Sequence, residues 1–337
     1  MVRIVCRRTM SIPLTLLIAL GVILVGLVSI RESLRSSLKV IALPSGKEVR
    51  QWKYRDVKVA FSADNKLLAT VEQNQNLFTR SSGIIKLWHL PSGELYTQLE
   101  EEVCWPATLA FSPDGKLLAI AEKDQSKIKI ISVTNDKLLA SLKASTNDLR
   151  CLAFSPNGDL LASGGLSTAT RSFDGSAELW DTRKWRHVRS FKNLDIVSFS
   201  LAFSHDGRLL AACGHGHLYL WRIQDGTQML SRNLGNTVAF LPSNKAITAT
   251  RVSNRIQISA LLDDELISDL DVSDLMSSAF FVFSPDGRLM VAMDRFTTKI
   301  WQLPQGRLIY KAKGGKSVTL SSRNRYVALI HAVTPRL

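Results

Sequence analysis

Phe111-Ser-Pro-Asp-Gly-Lys-Leu-Leu-Ala119 writes the end of one strand, a tight turn and the start of a second strand in nine residues. Phe111 and Ser112 close an apolar run, Pro113 sets φ for a turn, Asp114 and Gly115 supply turn-compatible backbone, and Leu117 to Ile120 open the next run. This is a β-hairpin signal. The same text returns as Phe61-Ser-Ala-Asp-Asn65, Phe154-Ser-Pro-Asn-Gly158, Phe203-Ser-His-Asp-Gly207 and Phe283-Ser-Pro-Asp-Gly287, with a decayed copy at Phe240-Leu-Pro-Ser-Asn244. The marker phenylalanines are 37 to 50 residues apart. A period of that size belongs to solenoids and propellers, so the bulk of the chain reads as one repeat domain.

A second phrase follows the hairpins: Ile85-Lys-Leu-Trp-His-Leu-Pro-Ser-Gly-Glu94, then Glu178-Leu-Trp-Asp181, Leu218-Tyr-Leu-Trp221 and Lys299-Ile-Trp-Gln-Leu-Pro-Gln-Gly306. Each unit thus carries four strands and no helix. These residues resemble the WD-repeat β-propeller family, in which a unit of ~40–45 residues is one blade of a closed ring. The resemblance runs from Leu38 to the end of the sequence. Leu38-Lys-Val-Ile-Ala-Leu-Pro-Ser-Gly-Lys-Glu-Val-Arg-Gln-Trp52 reads as the second half of a blade, and Ser317 to Ser322 with Tyr326 to His331 as the first half. Joined, they close the ring and leave no free edge between its ends. The expected fold is all-β, a seven-bladed propeller of four-stranded blades over 38–337.

Family members that match strongly hold a Gly-His, an Asp, a Ser and the Trp in one hydrogen-bonded set per blade. Here the third blade keeps Asp174 and Trp180, but Ala144-Ser145 stands where the resemblance would put Gly-His. The departure implies that apolar packing carries these blades.

The residues ahead of the repeats are of another kind. Thr9 to Ile30 carries no charge and is mostly Leu, Ile, Val, Ala and Gly, with Arg7, Arg8 and Arg31 at its ends. Such a run is long enough to span the hydrocarbon core as a helix. The sequence divides into a basic segment 1–8, an uncleaved transmembrane anchor 9–30, a linker 31–37 and the propeller 38–337. The competing reading is a cleaved signal peptide, whose apolar stretch is usually ~7–15 residues with a small-x-small site after it. The slight N-side excess of arginine favours an exported propeller. With 43 Lys and Arg against 29 Asp and Glu the net charge is +14, which favours acidic partners or anionic surfaces. Nucleic-acid binding would rest on that charge alone. Three of the four cysteines fall in the repeats, an odd number that implies no disulfide framework.

No Ser/His/Asp set, phosphate-binding glycine loop or spaced carboxylate pair is present, so no catalytic, cofactor or metal residues are expected. Cys213-Gly-His-Gly-His217 is the one metal-like cluster, and it is short of the three or four ligands zinc takes. Gly314-Gly315-Lys316-Ser317 reads as an inter-blade turn, and Glu100-Glu101-Glu102 as a solvated loop.

Two surfaces are candidates for partner binding. In the family fold, second-to-third-strand connections share one face, the top, with the FSPDG-type turns on the other. Three top turns pair arginine with phenylalanine: Phe78 with Arg80, Arg171 with Phe173, and Arg295 with Phe296. That composition suits an interface centre, the alternative being that each phenylalanine plugs the top of its blade. On the bottom, Arg183, Lys184, Trp185 and Arg186 form a basic, aromatic patch that either meets anions or packs Trp185 on a neighbouring strand. Leu38 to Leu43 is a third strand and enters at the top, and a linker of seven residues reaches about 25 Å, which keeps the top near the bilayer. The expected function is a membrane-anchored scaffold for a protein or peptide partner, without chemistry of its own. The alternatives are an enzyme with its site in the central channel, of hydrolase or isomerase type, and a secreted propeller.

Overall fold

The computed structural model describes residues 36–332 apart from 55–56, 74–81, 105, 123–124, 168–173, 195–199, 215–216, 234–236 and 322–323. The anchor 9–30, the basic segment 1–8 and residues 31–35 lie outside the described residues. Among the described residues no helix is long and apolar enough to cross a membrane. They form seven four-stranded antiparallel sheets. Six run in simple chain order over 57–104, 106–143, 148–194, 200–233, 238–271 and 280–313, and we number these blades one to six.

The seventh blade is the composite expected from the sequence. Ser317–Leu320 and Tyr326–Ala332 supply its first two strands, and Ser36–Ala42 and Lys47–Tyr54 its outer two. Leu38 pairs with Ile330 and Val40 with Ala328 across the join. The strand starts at Ser36, two residues into the expected linker. Seven apolar clusters each bridge two neighbouring blades, so burial holds the ring together all the way round. The cluster over the join combines Leu38, Val40, Ala328 and Ile330 with Val57 and Leu68 of blade one.

The repeated turn is held by side chains as well as backbone. Ser112 Oγ accepts the Leu117 N–H at 2.9 Å and donates to Asp114 Oδ1, which accepts the Lys116 N–H at 3.0 Å. Ser62/Asp64, Ser204/Asp206 and Ser284/Asp286 repeat the arrangement. Gly115 stands at φ +72°, and where glycine is missing Asn65, Asn244 and Asn324 take the left-handed place. Asn324 marks a further copy in the composite blade, with Ser321 accepting the Tyr326 N–H at 3.0 Å.

Inside the blades, the Trp180 indole donates to Ser163 Oγ and the Trp88 indole to Thr70 Oγ1, both at 2.9 Å. Where Gly-His is absent, the Ser145 N–H donates instead to buried Glu178 at 3.1 Å. Every blade also carries one extra residue in its outermost strand, beside the tryptophan position: Val49, Tyr96, Leu139, Val188, Met229, Ile267 and Ile309. All seven are apolar, and each inserts a β-bulge that increases local twist. Glu100, Glu101 and Glu102 lie inside the strand Leu95–Cys104 and not in a loop. Leu99 and Val103 are buried on either side of them and hold that stretch to the blade.

Candidate functional site

The site is built on the turn between the second and third strands of blade six, Leu289–Met293 and Thr297–Gln302. Asp294 closes it. One carboxylate oxygen accepts the N–H groups of Phe296 and Thr297, each at 2.7 Å, and the other accepts the Met276 N–H at 2.7 Å. Burial works to raise the Asp294 carboxyl, and the N–H groups of Met276, Thr297 and Phe296 more than offset it, holding it below the usual carboxylate range. The turn lies so close to the backbone at Gly314 that a Cβ there would collide with the Asp294 carbonyl oxygen, so only glycine fits beside it.

The connection carrying Met276 is fixed from its other side too. The Arg251 guanidinium donates to the carbonyls of Leu275 at 2.9 Å and Met276 at 2.6 Å. Three top-face segments of blades five and six are thereby tied together by polar groups. Several of their apolar side chains are exposed: Phe296 is 63% exposed, and Val252, Met276 and Phe280 are exposed in the chain segments so joined, while Leu275 is buried. Arg295 lies over the Phe296 ring at 4.9 Å, a cation–π contact that keeps the pair together in water. A rigid turn presenting an aromatic ring and a cation is suited to receive a partner, since little freedom is lost on binding.

Of the three Phe/Arg turns expected on this face, Arg295 with Phe296 is the one the structure locates. Phe78, Arg80, Arg171 and Phe173 lie outside the described residues. On the bottom face, Asp181 Oδ1 accepts the N–H groups of Arg183 and Lys184 at 2.9 and 2.8 Å, and Trp185 takes a left-handed φ of +50°. Its ring is half-buried against the cluster containing Leu142, Leu149 and Trp180. Arg183 is forked onto Asp159 at 2.8 and 3.0 Å, while Lys184 and Arg186 stay exposed. Sequence reasoning missed Asp294 and Arg251. The signal for Asp294 was an aspartate three residues before Thr297 at a strand end, an Asx-turn spacing.

Cys213 is fully buried, and burial pushes its thiol up and that of Cys151 to about 12. His217 starts the next strand, and His215 lies outside the described residues. Among the described residues no three His, Cys, Asp or Glu side chains are grouped as metal ligands. Gly314 to Lys316 does connect two blades, and His331 Nδ1 lies 2.8 Å from the Gly314 carbonyl. The bottom of the central channel, a cavity of about 570 Å³, is walled largely by Val59, Phe61, Leu109, Phe154, Pro156 and Leu320. His205 and Asp286 are the ionisable residues of that wall, and Asp286 is held by Asn324 at 2.8 and 3.0 Å.

Comparison with known proteins adds to this geometry. Residues 59–157 match the model of the anaphase-promoting complex subunit 4 WD40 domain, and residues 136–181 and 186–222 match the WD domain, G-beta repeat. The small ribosomal subunit protein RACK1 of Caenorhabditis elegans is 27% identical over 122 residues, 36% of this chain and 35% of that protein. The target of rapamycin complex subunit wat1 of Schizosaccharomyces pombe is 25% identical over 143 residues, 42% of this chain and 43% of that protein. The periodic tryptophan protein 2 homolog of the same yeast is 29% identical over 121 residues, 36% of this chain and 13% of that protein. Each match therefore spans less than half of the relative.

Proposed function

Because the chain belongs to the WD-repeat β-propeller family, we propose that it is an interaction scaffold, a rigid ring that binds a protein or peptide partner through its top face and performs no chemistry of its own. The observation that carries this is the Arg295–Phe296 pair, held outward on a turn that buried Asp294 locks in place. Two matched relatives bear names that place them in assemblies, a small ribosomal subunit and a target of rapamycin complex, which supports a binding role. The bottom of the channel, lined largely by apolar residues, favours this reading over an enzyme with its site at that end.

The finer reading is a membrane-held scaffold. Thr9 to Ile30 acts as the anchor, the ring lies on the extracytoplasmic side, and its top face stays near the lipid because the chain enters the seventh blade there at Ser36. Phe78/Arg80 and Arg171/Phe173 then share the partner with Arg295/Phe296, while Lys184, Trp185 and Arg186 serve soluble ligands on the far face. Mass spectrometry of the membrane-extracted chain tests the anchor, and a mature N-terminus between Val28 and Ser36 contradicts it. Protease treatment of intact cells tests the side, since a ring cut only after lysis places it in the cytoplasm.

The binding role is tested by affinity capture from detergent-solubilised membranes, followed by reconstitution with the separately purified partner. The intact chain is expected to hold a stoichiometric partner that the chain with Arg80, Arg171 and Arg295 all changed to Glu loses, and that Trp185→Ala keeps. Equal capture by all three proteins, or no stoichiometric partner, overturns the reading.

A further inference from the structure

Beside the Arg295–Phe296 turn, a side cleft of about 610 Å³ opens between blade six and the composite blade. Its floor is Ile41 and Leu329, both buried, and Tyr310 and Ala312 of the strand Arg307–Lys313 form one wall. Ser37, Lys39 and Ile41 alternate along Ser36–Ala42 and so present one face of that strand to the cleft, which runs from the top edge down to the turn at Gly46. At ~3.3 Å per residue this is the length of six or seven extended residues.

The charge of the cleft is one-sided. Lys39, Lys313 and Arg295 line it against the single acid Glu48, and Glu48 is already paired with Lys39 at 3.1 Å. Arg295 and Lys313 are exposed and have no ion pair among the described residues. His331 is positioned by its Nδ1 contact with the Gly314 carbonyl, which leaves Nε2 as its remaining polar atom. Tyr310 sits beside Glu48, and burial together with that charge raises its hydroxyl pKa, so it stays a neutral hydrogen-bonding group at pH 7.

We propose that this cleft binds an extended acidic segment of a partner protein, with an apolar side chain against Phe296 and Tyr310 and two carboxylates set against Arg295 and Lys313. The proposal rests on the scaffold reading and gives the partner its chemistry. Accessible apolar side chains beside a cationic rim select for both properties at once, because a purely acidic peptide leaves Phe296 in water and a purely apolar one leaves the cations unmatched.

Selection of random dodecapeptides displayed on phage against the full chain in detergent micelles tests it. Enriched sequences are expected to carry at least two Asp or Glu around a Leu, Ile or Phe. Their affinity should fall about tenfold or more in Arg295→Glu/Lys313→Glu and weaken steeply with added NaCl. Lys143→Glu, on the outer strand of blade two, should leave it unchanged. An unaltered unfolding midpoint shows that the double variant still folds. No enrichment, enrichment of basic or uncharged peptides, or binding indifferent to the double variant overturns the assignment. If Arg295→Glu/Lys313→Glu still holds the stoichiometric membrane partner, the cleft assignment falls while the scaffold reading stands.

Discussion

The carboxylate of Asp294 accepts the Met276 N–H at 2.7 Å across two connections of the top face, 18 residues apart in sequence. With the Phe296 and Thr297 N–H groups on its other oxygen, one buried side chain fixes two loops. Asp294→Ala strands three donors and is expected to cost about 1–3 kcal/mol of stability. Calorimetric or denaturant unfolding of the variant checks this, and a loss below experimental error contradicts it.

The same carboxylate gives the top face a pH dependence. Its folded pKa lies below the unfolded value of about 4, so its contribution is fully present above pH ~4 and is lost as pH falls through the folded value. Amide exchange at Met276, Phe296 and Thr297 should accelerate on acidification, after correction for intrinsic rates. The Asp294→Asn protein should lack that acid step.

Ring closure rests on strands from opposite ends of the described chain. Leu38 is wholly buried in the cluster at the join, so Leu38→Ala should destabilise by about 2–5 kcal/mol. Removing 36–54 altogether uncovers the edge of Tyr326–Ala332 and the cluster beneath it, and the product should aggregate or lose cooperative unfolding. A monomeric, cooperatively unfolding chain beginning at Val57 speaks against closure by these strands.

The repeated turn was legible because its chemistry is local: Ser112, Asp114 and Gly115 each bond or bend within five residues of one another. The copy at Ser321 was harder to see, since Leu320 replaces the phenylalanine and Asn324 the glycine, while the serine keeps its bond from the Tyr326 N–H and also takes the Arg325 N–H that an aspartate accepts elsewhere. The bulges carry an apolar residue beside each tryptophan position, but a one-residue slip shows only once the strands are paired. The acidic run Glu100 to Glu102 read as a loop because the pairing register shifts there, between Leu99 and Val103 of the outer strand. The cleft was out of reach altogether: residues 37–48 and 295–331 meet only once the ring has closed.

Within the turn itself the serine is the sensitive position. Ser112→Ala removes the acceptor for the Leu117 N–H and the donor to Asp114, and should cost about 1–2 kcal/mol. Gly115→Ala meets no neighbour but must hold φ near +72°, which costs about 1 kcal/mol. Thermal melts of the two variants should both shift downward. A stabilised Gly115→Ala protein contradicts the left-handed assignment.

Site-specific photocrosslinking in living cells puts the scaffold role to its most direct test. A benzophenone amino acid placed at position 296 is expected to give one discrete adduct with a protein partner, and the same probe at position 185, half-buried on the opposite face, is expected not to give that adduct. No adduct from position 296, or the same adduct from both positions, contradicts a partner-binding top face.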